Sequence, residues 1–398
     1  KGIEDARVNL ECSINEYSQS INTNGQGTFI FDDLAEGYDY SLEMENVEED
    51  CSKGVSTLDL VFIQRHILGL SLLDSPYKIL AADANNTKSI SGADILEIRK
   101  IVLGVSNGFN NSDCWKYVPK SQVFTNTYAP WNYKKSIDYT SVNNSIMGND
   151  FWAVKTGDVN GSYGQLQGDE DLDTRSAFRL LLDEQELTSN NDYLVPVYAN
   201  EIDQMSGLQF TMEIDKAARI NKLVSGAINI NESNFAIHGN NGQILTFSWN
   251  ASEDIKLTGN EPLFYVSIHA NENVKLSETL KMNSNITSAL VFSNFTENDL
   301  GISFRNFEEN SLVYRLYQNE PNPFDLSTTI AVELPFDQEV ELDIFDTNGR
   351  LVHTYSATLS KGIHNIKITK EDLINSGVYY YTVKTQNFVK TMKMIFLK

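Results

Sequence analysis

Val55-Ser-Thr-Leu-Asp-Leu-Val-Phe-Ile-Gln-Arg-His-Ile-Leu-Gly-Leu70 returns further on as Ile90-Ser-Gly-Ala-Asp-Ile-Leu-Glu-Ile-Arg-Lys-Ile-Val-Leu-Gly-Val105. Each copy opens on a β-branched residue and Ser, places an Asp three residues after that Ser, continues with apolar residues at helical spacing, and stops at Gly. A capping side chain, a 3.6-residue apolar period and a terminal glycine specify a loop feeding a short helix. The repetition predicts two such units packed as a pair.

The second copy is prefaced by Asp83-Ala-Asn85-Asn-Thr87-Lys-Ser89-Ile-Ser91-Gly-Ala-Asp94. Read as a twelve-residue loop, it presents side-chain oxygens from Asp83, Asn85, Thr87, Ser91 and Asp94 at positions one, three, five, nine and twelve, and the carbonyl of Ser89 at seven. Alternate oxygens on a turning loop suit Ca2+, a hard cation that takes about six to eight of them. Position twelve is Asp rather than Glu and position six is Lys88 rather than Gly, which departs from an ordinary EF-hand. The ligand types, the spacing, the repeat and the Leu-Gly helix ends resemble dockerin modules across residues 48–105. The same positions of the first copy are Glu48, Asp50, Ser52, the Gly54 carbonyl, Ser56 and Asp59. Two readings stand there: a calcium site with a non-standard first ligand, or a decayed loop held by packing alone.

A chain of 398 residues predicts several domains. Asp and Glu number 54 against 31 Lys and Arg, a formal net charge of -23, which argues against nucleic acid as a partner because phosphates must be met by clustered cations. No apolar run approaches the roughly 20 residues that span a bilayer. The abrupt opening on Lys1-Gly-Ile-Glu-Asp carries the expectation that a leader or a larger N-terminal region is missing. Of the three cysteines, Cys12 alternates with apolar residues and reads as a buried thiol on a strand, while Cys51 and Cys114 bracket the repeated pair. A Cys51–Cys114 disulfide clasp and three free thiols both remain open, since sequence does not fix connectivity.

The expected fold class is multidomain and mainly β: three antiparallel β-sandwiches and one small α-helical paired loop-helix module. Residues 1–47 show strand alternation at Arg7 to Ile14, Gly27 to Phe31 and Tyr38 to Met44, and resemble truncated carboxypeptidase-regulatory or transthyretin-like sandwiches. After the pair at 48–105, residues 106–172 form an aromatic extension and acidic linker, in which Trp115, Trp131 and Trp152 read either as anchors over the helices or as a sugar-stacking platform. Within it Asp158-Val-Asn160-Gly-Ser162 begins like another calcium loop, with Asp169 at position twelve and Leu166 where the ninth ligand belongs. That loop is a site completed by other residues or a plain turn. Residues 173–308 run through strands such as Gly207-Leu-Gln-Phe-Thr-Met212, Ile244-Leu-Thr-Phe-Ser-Trp249 and Pro262-Leu-Phe-Tyr-Val-Ser-Ile268, and resemble a cohesin-like sandwich. Cohesins partner dockerins, so the resemblance implies a self-contact or a neighbouring surface protein.

Residues 314–398 contain Leu316-Tyr-Gln-Asn-Glu-Pro-Asn-Pro-Phe324, a turn at Asn348-Gly349, Ser376-Gly-Val-Tyr-Tyr-Tyr-Thr-Val383 and a basic end from Lys390. They resemble the type A C-terminal sorting domain of the type IX secretion system of Bacteroidota, as a seven-strand sandwich. The resemblance implies the secretion machinery as a partner and an extracellular or outer-membrane surface location. The five histidines (His66, His238, His269, His353, His364) are scattered, with no His-Glu-x-x-His helix, no Gly-x-Ser-x-Gly elbow and no phosphate-binding loop, so no enzyme is expected. His66 takes the place of an Ile in the repeat and reads as a helix-surface residue. The expected function is display, adhesion or assembly through calcium-stabilised modules. The alternatives are a carbohydrate-binding module of a glycan-utilisation protein and a self-polymerising fibre or sheath subunit.

Overall fold

The computed structural model describes residues 2–45, 50–163, 178–239, 241–259, 261–305, 314–335, 337–385 and 388–397. They form a mainly β chain divided into two compact units, Lys1–Arg305 and Asn306–Lys398.

The repeated phrases form helices α1, Thr57–Ile67, and α3, Gly92–Val102. Each starts in a capping box: the Ser56 and Ser91 hydroxyls accept from the helix's first turn, while the carboxylates of Asp59 and Asp94 accept from the Ser amides. Each ends before a glycine in the left-handed region, Gly69 at φ 70° and Gly104 at φ 67°. A further helix the repeat does not announce, α2 at Pro76–Ala82, begins with Ser75 as N-cap and Pro at the first turn. Leu60 and Ile63 of α1, Ile79 and Leu80 of α2 and Ile98 of α3 bury one core with Val118, Val154 and Val159. The last three come from the aromatic extension, whose strands Trp115–Pro119 and Phe151–Lys155 form an antiparallel ribbon beneath the helices. Cys51 and Cys114 are joined in a disulfide with Cα atoms 5.0 Å apart, and Cys12 is a buried thiol.

The N-terminal sheet is four-stranded and antiparallel, in the order Gln19–Asn22, Arg7–Cys12, Tyr38–Glu45, Ser136–Val142. The expected strand at Gly27 to Phe31 is absent. A turn in which the Gly27 amide donates to the Asn24 carbonyl diverts that segment, and Phe29 and Phe31 still pack against the sheet's core. The fourth strand comes instead from the aromatic extension.

The sandwich has two leaves. One contains Ala218–Ser225, Phe264–Ala270, Asp192–Ala199 and Phe178–Asp183; the other contains Leu290–Ser293, Ile202–Ile214, Ile244–Leu257 and Phe235–His238. Thr296–Arg305 belongs to both, pairing antiparallel with Leu290–Ser293 through its first half and parallel with Phe178–Asp183 through its second. Phe210, Phe247 and Phe264 stack between the leaves with centroids 5.0 to 6.0 Å apart. Alternation then sends Gln209, Thr211, Thr246 and Ser248 to the outer face of the second leaf, yet all four are buried. Something covers that face.

The second unit sets the three-stranded sheet Arg315–Leu316, Ser327–Leu334 and Gly362–Thr369 with the four-stranded sheet Leu351–Leu359, Gln338–Asp346, Gly377–Lys384 and Val389–Phe396. Ile330, Val332, Leu342, Ile344, Tyr381 and Val383 fill its core. Asn348-Gly349 makes the turn, with Gly349 at φ 76°.

Candidate functional site

In the loop before α3, one Asp83 oxygen accepts from the Thr87 amide at 2.9 Å and the other from the Lys88 amide at 3.0 Å. The Asn85 side-chain oxygen Oδ1 accepts from the Thr87 amide, and Thr87 Oγ1 lies 3.1 Å from Ser89 Oγ. Asp94 closes the loop, accepting from the Asn85 amide at 3.2 Å and the Ser91 amide at 2.9 Å. Burial raises the Asp94 pKa, and the nearby Asp83 charge adds to the shift. The structure thus brings Asp83, Asn85, Thr87, Ser89, Ser91 and Asp94 into one turn.

The loop before α1 is built differently. Asp158 accepts from the Ser162 amide at 3.0 Å with one oxygen and from the Tyr163 amide at 2.9 Å with the other, and the Asn160 side chain accepts from the Ser162 amide. Asp59 accepts from the Val159 and Asn160 amides at 2.9 and 3.2 Å and, through its second oxygen, from the Ser56 amide. Ser162 Oγ donates to the Gly54 carbonyl at 3.0 Å. Position for position this repeats the loop at 83–94, with its first half supplied by Asp158, Asn160 and Ser162 and its second by Gly54, Ser56 and Asp59. One loop has been cut, and its halves lie about a hundred residues apart in sequence. Asp50 instead accepts from the Ser52 amide at 2.9 Å, a local turn. Glu48, Leu166 and Asp169 lie outside the described residues. Gly54, at φ 75°, is needed where the halves meet: a Cβ there would stand 2.8 Å from the Tyr163 backbone.

Burial, reinforced by Asp158, holds the Asp59 pKa well above the carboxylate range, and burial raises that of Asp158. Each set offers two carboxylates completed by amide, hydroxyl and carbonyl oxygens, with no thiolate or imidazole among them. That donor chemistry fits a hard divalent cation. Beside the loop at 83–94, the Lys116 ammonium donates to the Leu80 and Asp83 carbonyls at 2.7 Å each, with its pKa pushed down to about 8 by burial.

The cover of the outer sheet face is the helix pair. A helix leaves its first amides and last carbonyls without intrahelical partners, and here the sandwich supplies partners for some of them. At the start of α1 the Thr57 amide donates to Gln209 Oε1 at 2.7 Å, and Thr57 Oγ1 lies 2.7 Å from Ser248 Oγ. At the end of α3, Thr287 Oγ1 donates to the Val102 carbonyl at 2.6 Å and Thr246 Oγ1 to the Leu103 carbonyl at 2.7 Å, with His238 Nε2 3.0 Å from the latter. Between these ends Asn250 hydrogen-bonds both Gln64 and Arg99, residues at equivalent positions of the two repeats. Leu58 and Val61 pack on Phe292, and the Arg65 guanidinium lies 4.8 Å from the Phe295 ring centroid. The docking residues Thr57, Gln209, Ser248 and Asn250 carry no sequence motif. The split loop does have a signal, since Asp158-Val-Asn160-Gly-Ser162 repeats the opening of Asp83-Ala-Asn85-Asn-Thr87.

Residues 320–397 match the family described as Secretion system C-terminal sorting domain. The matched stretch lies within the second compact unit. No curated protein matches the sequence. Among solved structures, the chain is similar to a seventh type I cohesin from Pseudobacteroides cellulosolvens, at 14% identity over 32% of this chain and 87% of that one, with a TM-score of 0.24. A chain of a type I cohesin–dockerin complex from Clostridium thermocellum matches at 12% identity over 32% and 99%, with a TM-score of 0.25. A type II cohesin dyad from Acetivibrio cellulolyticus matches at 11% identity over 54% and 89%, with a TM-score of 0.24. Likeness at that level decides neither partner nor function. No helix among the described residues is long and apolar enough to cross a membrane.

Proposed function

We propose that this chain is a non-catalytic, exported surface protein of structural or adhesive type, in which a calcium-stabilised, dockerin-like helix pair docks on a cohesin-like sandwich. Residues 314–398 direct it through the type IX secretion machinery to the outer surface of a Bacteroidota cell; the family match at 320–397 supports that address. The observation that carries the docking reading is the buried polar seam, where the open end of α1 and the open end of α3 find hydrogen-bond partners on one sheet face, Gln209 and Thr246, and on Thr287 of the loop that follows strand Leu280–Asn283. Calcium is supported by the two matched oxygen sets, each holding two carboxylates whose mutual repulsion a divalent cation would cancel. Asp83, Asn85, Thr87, Ser89, Ser91 and Asp94 would hold one ion, and Asp158, Asn160, Ser162, Gly54, Ser56 and Asp59 the other.

The sugar-binding alternative needs exposed, coplanar rings. Trp115 and Trp249 are 5% and 8% exposed and Trp131 is partly buried against the helical core; Trp152 is exposed but tilted against Tyr77, with the Lys120 ammonium 5.7 Å from its centroid, so one ring rather than a coplanar set faces solvent. Those placements favour docking over glycan stacking.

Titrating Ca2+ into chelator-treated protein should stabilise the helix-bearing unit and raise its melting, by about 2.7 kcal/mol for each site at a hundredfold excess over Kd. Melting indifferent to millimolar Ca2+ would reject the calcium assignment. Separately, residues 314–398 fused to a reporter should bring it to the cell surface of a host with an intact type IX system and leave it inside when that system is disabled.

A further inference from the structure

The chain holds its two oxygen sets in different ways. Asp83, Asn85, Thr87, Ser91 and Asp94 follow one another along one turn into α3, so the intervening peptide bonds keep them together. Asp158, Asn160 and Ser162 meet Gly54, Ser56 and Asp59 only through space. Bringing together segments about a hundred residues apart costs loop-closure entropy that a continuous turn does not pay. A shorter path between the halves runs through the disulfide. Cys51 stands just before the half at 54–59, and it is bonded to Cys114, 63 residues on. The Cys114 carbonyl accepts from the Thr156 amide at 2.9 Å, and the Asp113 carbonyl accepts from Thr156 Oγ1 at 2.7 Å. Thr156 stands just before the half at 158–162. Both cysteines are buried in one cluster with Trp115, and Tyr163, whose amide closes the Asp158 half, packs against it. The Trp115 and Tyr163 rings meet edge to face with centroids 4.6 Å apart.

We infer that the Cys51–Cys114 disulfide gates calcium at the split site alone: oxidised, it holds the two half-loops as one ligand set, and reduced, it leaves them to assemble across the long loop, while the set at 83–94 keeps its ion. This rests on the calcium reading above. The switching step is a two-electron exchange with a dithiol. The S–S bond breaks, Cys51 and Cys114 each gain an electron and a proton, and the reductant closes its own disulfide. Coupling between two equilibria is reciprocal, so calcium at the split site favours the oxidised form by the same factor by which the disulfide tightens calcium. In a reducing compartment the split site is therefore weak, and it loads once the chain reaches an oxidising one.

The test uses the full chain. In calorimetric titration with Ca2+, the double variant Cys51→Ser/Cys114→Ser should keep one equivalent at the parent's affinity and weaken the other by about tenfold or more, the size of an ordinary coupling between sites. Adding Asp83→Ala should then remove the equivalent that was kept. Two equivalents at the parent's affinity in the double variant would overturn the gate while sparing the calcium sites. A parent that binds no Ca2+ would overturn the calcium reading, and the gate with it. Should the double variant fail to fold, the parent answers the same question in a redox buffer of reduced and oxidised dithiothreitol, with thiols counted by alkylation and mass spectrometry and Cys12 as the constant one. Saturating Ca2+ should raise the ratio of oxidised to reduced chain by about the same factor in the parent and in Asp83→Ala, and leave it unchanged in Asp158→Ala. A parent whose ratio ignores Ca2+, or protection that survives Asp158→Ala, would overturn the gate.

Discussion

Asp59 has no solvent exposure, stands in the field of Asp158, and has both oxygens spoken for by the Ser56, Val159 and Asn160 amides. A carboxylate so placed is costly without a cation, and its neighbour comes from the other end of the module. The split loop therefore makes a prediction that a continuous first loop does not. Calorimetric titration of the parent should give two calcium equivalents, and Asp59→Ala and Asp158→Ala should each lose the same one. Asp50→Ala should keep both; loss of an equivalent there would restore the continuous loop. His66 offers a second test at this scale. It is half-buried rather than a plain surface residue, and its Nδ1 accepts from the Leu73 amide at 3.1 Å, closing the turn after α1. Burial lowers its pKa, so the folded state favours the neutral ring. Its contribution is full above the ordinary value of about 6.5 and is lost as pH falls through the lower folded value. His66→Leu should cost about 1 kcal/mol at pH 7.5 and clearly less at pH 5, measured as the difference in melting from the parent. A difference that does not change with pH would rule out the Nδ1 contact.

Between elements, the governing contact is the start of α1 on the strands Ile202–Ile214 and Ile244–Leu257. Thr57 Oγ1 and Ser248 Oγ are both buried and 2.7 Å apart, so removing one hydroxyl leaves the other unsatisfied. Thr57→Val or Ser248→Ala alone should cost about 1–3 kcal/mol, and the double variant less than their sum, because replacing both partners leaves no orphan. Additive costs in chemical denaturation would show that the two hydroxyls do not meet. This seam also marks where the sequence stops speaking. The repeat at 55–70 and 90–105 names two helices, their caps and one complete loop, since all of those interactions are local. Gly207-Leu-Gln-Phe-Thr-Met212 alternates like a strand with one wet face, and alternation cannot say that Gln209 and Thr211 lie under another module. For the same reason the partner half-loop of Ser56 and Asp59 was legible only as a fragment at Asp158, and Ser136–Val142 gave no sign of completing the N-terminal sheet. Polar residues on a sheet read alike whether water or a helix end satisfies them.

At the scale of the whole chain, Lys1–Arg305 and Asn306–Lys398 are separate compact units, and both oxygen sets lie in the first. Their unfolding should therefore answer to different variables. The second unit depends on its own core and on Tyr381, whose buried hydroxyl donates to the Tyr317 carbonyl at 2.8 Å and accepts from the Asn319 amide at 2.9 Å. Burial drives the pKa of that phenol upward, so the hydroxyl stays protonated and remains a donor at any ordinary pH. Tyr381→Phe removes the acceptor of the Asn319 amide in the core, a loss of about 1–3 kcal/mol. Scanning calorimetry should then resolve two transitions with opposite sensitivities. Chelation should lower the one belonging to residues 1–305 and leave the other in place; Tyr381→Phe should lower only the other. A single transition that moves with both changes would mean that the units unfold as one. In that case calcium in the loops would be felt by the export domain as well.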